Sequence, residues 1–352
     1  PKGHPKEGEP IMLRDYQVEA INKFLDNPQS LQEIATGAGK TIMTAALSYS
    51  CEHLGRTVVI VPNKSLVTQT ERDYINLGLD VGVYFGDRKE TGHKHTICTW
   101  QSLNVLLKNT KSGTAECTIH DFLEDVVCVI VDEVHMAKSD VLKTLLTTVF
   151  AHVPIRWGLT GTIPKEDYER VSLLCSLGPV VGQLSASELQ EAGHLANCHV
   201  NIVQLQDFVE YKDYQSELKY LVTNTERVAY LARMIESIKE SGNTLILVDR
   251  IETGKLLQAE LSTLFSLLKD KPEVAFVSGA TKAGDRKEEY DDVATATNKI
   301  IIATYGVAAV GINIPRIFNL VLVEPGKSFV RVIQSIGRGI RKAEDKDFVQ
   351  IW

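Results

Sequence analysis

Short runs of β-branched residues alternate with longer segments whose apolar residues recur at helical spacing, almost throughout this 352-residue chain. The runs RTVVIVP at 56–62, HTICTW at 95–100, DVVCVIVDE at 125–133 and IRWGLTGT at 155–162 read as buried strands. Between them, KTIMTAALSYSCEHLG and NKSLVTQTERDYINLG carry the helical pattern, and each stops on a glycine. A β-α-β rhythm implies a mostly parallel sheet with helices on both faces, and ligands in such sheets bind at the carboxyl ends of the strands. The rhythm loosens after about residue 180 into GQLSASELQEAGHLANCHVNIVQLQDF and restarts at NTERVAYLARMIESIKESG. The strand-like runs NTLILVD, EVAFVSG, NKIIIAT and FNLVLVE follow. The fold class expected is therefore α/β, with two units in series, residues 1–183 and 184–352, and a hinge near 178–195. The length fits two cores better than one.

Composition narrows the class further. Hydrophobic residues at 44% and charged residues at 24% are those of a globular protein, and no apolar run approaches a membrane span. Six scattered cysteines without a C-x-x-C pair argue for reduced thiols rather than zinc or disulfides. The formal charge of −7 supplies no general attraction to nucleic acid, so any such partner needs a local track of amides, hydroxyls and a few cations. The chain opens on PKGHPKEGEP and closes on the strand-like FVQIW, and reads as part of a longer protein.

The chemistry begins at EIATGAGKTI, residues 33–42. A phosphate-binding loop is written G-x-x-x-x-G-K-[ST], and here Gly39, Lys40 and Thr41 match while Ile34 stands where the first glycine belongs. A short strand at 30–35 precedes the loop and a helix starts near Lys40. Thr36, Gly37, Ala38 and Gly39 would let backbone amides approach an anion, Lys40 would reach the β- and γ-phosphates, and Thr41 would ligate Mg²⁺. The run VVCVIVDE supplies the second half. Asp132 would hold Mg²⁺ through its water shell and Glu133 would orient or deprotonate the attacking water. Together these predict hydrolysis of a nucleoside triphosphate, with ATP and Mg²⁺ as cofactors.

DEVH at 132–135 resembles motif II of the superfamily-2 helicases, whose phosphate loop commonly reads A/P-T-G-x-G-K-T with no glycine at the position of Ile34. The remaining motifs cover nearly the whole chain. LRDYQ at 13–17 resembles the adenine-recognition element, with Gln17 at the base edge, VPNKSLVTQ at 61–69 resembles motif Ia, and TWQSL at 99–103 motif Ic. LTGT at 159–162 looks like motif III, VSG at 277–279 with Arg286 like motif IVa, and ATYGVAAVGINIP at 303–315 like motif V, although the family often has Asp where this chain has Asn313. QSIGRGIR at 334–341 matches motif VI, Q-x-x-G-R-x-x-R.

The resemblance implies two tandem RecA-like domains. It implies catalytic roles for Lys40, Glu133, Gln334, Arg338 and Arg341, the two arginines stabilising charge on the transferring phosphoryl. It implies coupling through His135, Thr160, Thr162 and Gly311, and nucleic-acid contacts by Lys64, Thr99, Gln101, Ser102, Gly279, Arg286 and Thr304. Helix caps and surface polar residues are competing readings for that last set. LRDYQ and DEVH resemble DNA translocases that remodel branched DNA more than DEAD-box RNA helicases. Expected substrates are single-stranded and branched DNA, namely forks, Holliday junctions and displaced-strand loops, with 3′→5′ polarity and roles in recombination, repair and replication. RNA–DNA hybrids and single-strand-binding or recombination proteins are further expected partners, the motor being a monomer in the cytoplasm, that of the host cell if the source is a phage. An RNA helicase, a restriction-enzyme motor subunit, and a nucleotide-switched scaffold without motor activity are the alternatives. GHKH at 92–95 reads as an exposed loop rather than a metal pair, and Trp157 and Trp100 read as core.

Overall fold

The computed structural model describes residues 11–134, 140–163, 167–206, 209–266, 268–269, 271–279, 281, 292–293, 295–308, 314, 316–324, 326 and 329–352. They divide into two compact units, 1–188 and 189–352. His135, Arg286, Gly311 and Asn313 lie outside the described residues.

In the first unit the strands are β1 (Gln29–Ile34), β2 (Arg56–Val61), β3 (Val81–Phe85), β4 (Arg88–Lys89), β5 (His95–Thr99), β6 (Val126–Val131), β7 (Ile155–Thr160) and β8 (Val180–Leu184). They form one sheet in the order β4-β3-β5-β2-β6-β7-β1-β8, parallel except where β4 folds back on β3. β2, β5 and β6 are buried over nearly their whole length, the signature of a parallel sheet covered on both faces. Leu31, Val58, Ile60, Val129, Val131 and Phe150 meet in one core cluster. Each such side chain withdrawn from water contributes about 1.5–3 kcal/mol before chain entropy is charged against it. Trp157 belongs to the buried core, its ring against Phe24 and its Nε1 donating to Asn27 O at 3.0 Å. Trp100 packs half-buried against the same interior.

The second unit holds β9 (Asn197–Val200), β10 (Thr244–Val248), β11 (Val274–Val277), β12 (Ile300–Thr304), β13 (Asn319–Leu322) and β14 (Phe348–Ile351). Its sheet runs β11-β12-β10-β13-β14-β9, with every pair parallel. Ile246, Val248, Ile300 and Ile302 pack under the helices Thr225–Ile238 and Ile251–Phe265. Asn224 caps the first of these, its side chain accepting from Arg227 N.

Two segments differ from expectation. Part of the stretch read as a hinge is the edge strand β8, hydrogen-bonded to β1. Its side chains are half-buried without alternation, so it has no period to read. His95, which ends the expected loop GHKH and also starts the expected strand HTICTW, belongs to the strand: it opens β5, is fully buried, and meets Glu52 at 2.8 Å through Nε2, while His93 meets Asp80 at 2.7 Å.

Candidate nucleotide and nucleic-acid sites

The order β6-β7-β1 sets the carboxyl ends of three strands side by side, and each end carries one part of the expected nucleotide site. β1 runs into the phosphate loop. Gly37 and Gly39 adopt φ of 92° and 82°, which a residue with Cβ reaches only with strain, and the helix Lys40–Cys51 begins directly after them. Its first amides are left without helical partners and face an anion position at the positive end of the helix dipole. Lys40 is buried, and its Nζ lies 2.9 Å from Glu133 Oε1 and 3.4 Å from Ile34 O. Thr41 follows on the helix.

β6 delivers the two acids. Asp132 N continues the ladder to Ile60 O at 2.9 Å, and Asp132 Oδ1 accepts from Glu133 N at 2.8 Å. Glu133 then turns into the left-handed region at φ 50°, an unusual conformation for a side chain of this size, and so meets Lys40. Burial, with the neighbouring Glu133 charge adding to it, pushes the Asp132 carboxyl up to about 6. It is still mostly a carboxylate at neutral pH, as a hard dication requires. β7 delivers the third part. Thr160 donates to Thr162 O at 2.9 Å and accepts from Thr162 N at 3.2 Å, both residues being buried. A Cβ placed on Gly161 between them would stand 3.2 Å from Thr36 Oγ1 and 3.5 Å from Lys40 Nζ, so this turn lies against the phosphate loop.

The donor set fits ATP with Mg²⁺: amides and an ammonium for phosphate, a hydroxyl and carboxylates for the metal. Gln17 is buried and bonded to protein at both ends of its amide. Its Oε1 accepts from Arg14 N and its Nε2 donates to Ala38 O, both at 3.0 Å. Tyr16 donates to the same carbonyl at 3.1 Å. The pair clamps the phosphate loop from the first helix. Sequence reasoning missed this role of Tyr16, whose only signal was its place beside Gln17.

The expected nucleic-acid contacts also gather at strand ends. Lys64 begins the helix after β2, exposed. Thr99 ends β5 and caps the next helix, accepting from Ser102 N at 3.3 Å, with the two hydroxyls 3.0 Å apart. Gln101 is exposed, with its Nε2 3.5 Å from Pro62 O, so the segments after β2 and β5 are neighbours. In the second unit, exposed Gly279 follows β11 and buried Thr304 ends the adjacent β12. Gln334 and Arg338 stand half-buried on the helix Phe329–Gly339, and Arg341 follows two residues after it.

One residue near Arg341 had no sequence signal at all. Lys346 is 2% exposed, and its Nζ donates to Gly339 O and, at 2.9 Å, to Arg341 O. Burial, then repulsion from Arg341, pulls its ammonium down to about 7 against the opposing pull of Asp345. Between there and the ordinary lysine value the unfolded chain binds a proton that the folded chain has released. Stability therefore rises with pH across that window, by up to about 1.4 kcal/mol per unit. In urea unfolding, the wild type is expected to gain on Lys346→Met as pH is raised from about 7 to about 9. A difference that does not change with pH contradicts this titration.

Comparisons with known proteins agree with the geometry. Residues 10–165 match the family described as type III restriction enzyme, res subunit, and residues 226–343 match the helicase conserved C-terminal domain. The chain belongs to the superfamily-2 helicases, a class of ATP-dependent enzymes. Among its relatives is the ATP-dependent DNA helicase uvsW of Enterobacteria phage T4, 24% identical over 96% of this chain and 67% of that protein. The DNA 3'-5' translocase XPB2 of Sulfurisphaera tokodaii is 30% identical over 51% of this chain and 37% of its own length. The structure of S. cerevisiae Dbp5 bound to RNA and ADP BeF3 shares the fold, with a TM-score of 0.65 at 16% identity, covering 98% of this chain and 84% of that one. Among the described residues no helix is long and apolar enough to cross a membrane.

Proposed function

We propose that this chain is the motor part of a DNA helicase or translocase that hydrolyses ATP to remodel branched DNA, moving 3′→5′ on one strand. The observation that carries the reading is the Lys40–Glu133 pair at 2.9 Å inside a left-handed glycine loop, with the Thr160–Thr162 turn against it. Support for DNA over RNA comes from relatives named as DNA helicases and DNA translocases.

In this reading Lys40 exchanges Glu133 for the β- and γ-phosphates, which the amides of Gly37 to Thr41 also bind. Glu133, freed from its ion pair, takes a proton from the water that attacks the γ-phosphorus as the bond to the β-phosphate oxygen breaks. Thr41, and Asp132 through its water shell, would hold Mg²⁺, which would neutralise charge on the phosphate oxygens. Gln334 orients the reacting groups, and Arg338 and Arg341 stabilise the charge the transferring phosphoryl develops. Thr160 and Thr162, packed against the loop, would pass the nucleotide state to the strand track together with His135 and Gly311. Lys64, Thr99, Gln101, Ser102, Gly279, Arg286 and Thr304 would form that track on the phosphate-sugar backbone, which explains how a chain of net charge −7 can bind DNA.

The test is strand displacement from a labelled model fork, with a duplex RNA of matched length alongside. Displacement of the DNA strand that requires ATP, with little action on RNA, is the expected result. Equal action on RNA would favour the RNA-helicase alternative that the RNA-bound structural neighbour keeps open. ATP-driven binding without displacement would favour a nucleotide-switched scaffold.

A further inference from the structure

We infer that Lys346 is a positioning residue for Arg341, fixing the backbone from which that arginine acts; the inference rests on the ATPase reading above. The last carbonyls of a helix have no helical partner and usually turn to water or to a left-handed glycine cap. At the end of Phe329–Gly339 the chain does something else. Ile340 N still donates to Ile336 O at 3.1 Å, and the chain then folds back through a bridge in which Ala343 and Lys346 exchange backbone hydrogen bonds at 3.1 and 3.2 Å. This return brings the Lys346 side chain under the helix end, where it donates to Gly339 O and Arg341 O.

Neighbouring bonds pin the same segment from other directions. Ala196 N, just before β9, donates to Ile340 O at 2.7 Å, and Lys342 Nζ donates to Gly193 O at 3.0 Å. Asp345 is held by Arg316 at 2.7 Å. The carbonyls of residues 339, 340 and 341 are thus each assigned a donor, and Lys346 supplies two of the three. An apolar residue would fill the same volume without the cost of burying an ammonium, but it would withdraw the donor that these two carbonyls share. What the lysine adds is fixed backbone on both sides of Ile340, immediately ahead of the Arg341 side chain. Placement of this kind matters for a charge that must meet a transition state, where an error of about 1 Å costs roughly 10²-fold in rate.

The test is a double-mutant cycle on steady-state ATP hydrolysis with saturating single-stranded DNA, using Lys346→Met and Arg341→Ala. Lys346→Met keeps the length of the side chain and removes its donors. It is expected to lower kcat by roughly 10- to 100-fold with KM for ATP within about threefold of wild type, and to cost almost nothing further once Arg341 is alanine. If Lys346→Met does not fold, Lys346→Leu, which also removes the donors, takes its place under the same criterion. Wild-type kcat in the single variant, or losses that multiply independently in the double variant, would overturn the inference while leaving the ATPase reading intact. A wild-type chain that hydrolyses no ATP would overturn both.

Discussion

Replacing Glu133 by Gln is expected to leave ATP bound and stop its turnover. The amide keeps the shape of the side chain and its left-handed backbone, but it cannot take a proton from water. Loss of a positioned general base costs roughly 10²–10⁴-fold in rate. Binding should move the other way. Without nucleotide, Lys40 is neutralised by Glu133 at 2.9 Å, so phosphate must displace a carboxylate. The glutamine variant removes that competitor, and ATP affinity is expected to stay equal or to tighten by up to about tenfold, one charge-assisted contact being worth about 1.5–3 kcal/mol before the loss of its desolvation cost. Equilibrium binding of a fluorescent ATP analogue and single-turnover hydrolysis read the two effects separately. Weakened binding would mean that Glu133 shapes the loop rather than serving the reaction. Turnover at the wild-type rate would remove it from the role of base.

Arg341→Ala is expected to lower hydrolysis by roughly 10³-fold, the lower end of what an arginine finger contributes in NTPases, with only a small change in ATP affinity. A group that meets charge only as it develops lowers the barrier without strengthening the ground state, so the loss should fall on kcat. Burial disfavours the charged guanidinium. Rapid-quench hydrolysis beside a binding titration separates kcat from affinity. A loss confined to affinity would make Arg341 a nucleotide-binding residue of the ordinary kind, and an unchanged rate would leave Arg338 to carry the role alone.

Much of the architecture was legible because parallel strands buried on both faces write themselves as unbroken apolar runs. β2, β6, β10 and β12 were each visible as β-branched stretches. β8 was hidden for the opposite reason: an edge strand with half-buried residues has neither a continuous run nor an alternation. His95 could be placed at the start of its strand, but its partner Glu52, just past the helix Lys40–Cys51 and forty-odd residues earlier in the chain, could not be read locally. The phosphate loop and the acids of β6 could be read locally, since spacing within a turn and at a strand end defines them. Their meeting could not: the Lys40–Glu133 contact joins residues that only the order β6-β7-β1 brings together. Gln17 shows a third limit. The sequence marked it as a reader of adenine, and the fold also engages its amide with Arg14 N and Ala38 O, a local clamp that spacing alone does not reveal. Lys346 was beyond reach because a lone lysine after a helix looks like surface until a backbone bridge turns it inward.

The measurement that bears most directly on the central claim is steady-state ATP hydrolysis by this chain without nucleic acid, with single-stranded DNA, with a model fork, and with RNA of matched length. A motor coupled to DNA predicts slow basal turnover that single-stranded DNA or the fork accelerates at least about tenfold and RNA accelerates little, a difference of about 1.4 kcal/mol or more in barrier. Hydrolysis at one rate under all four conditions would contradict it.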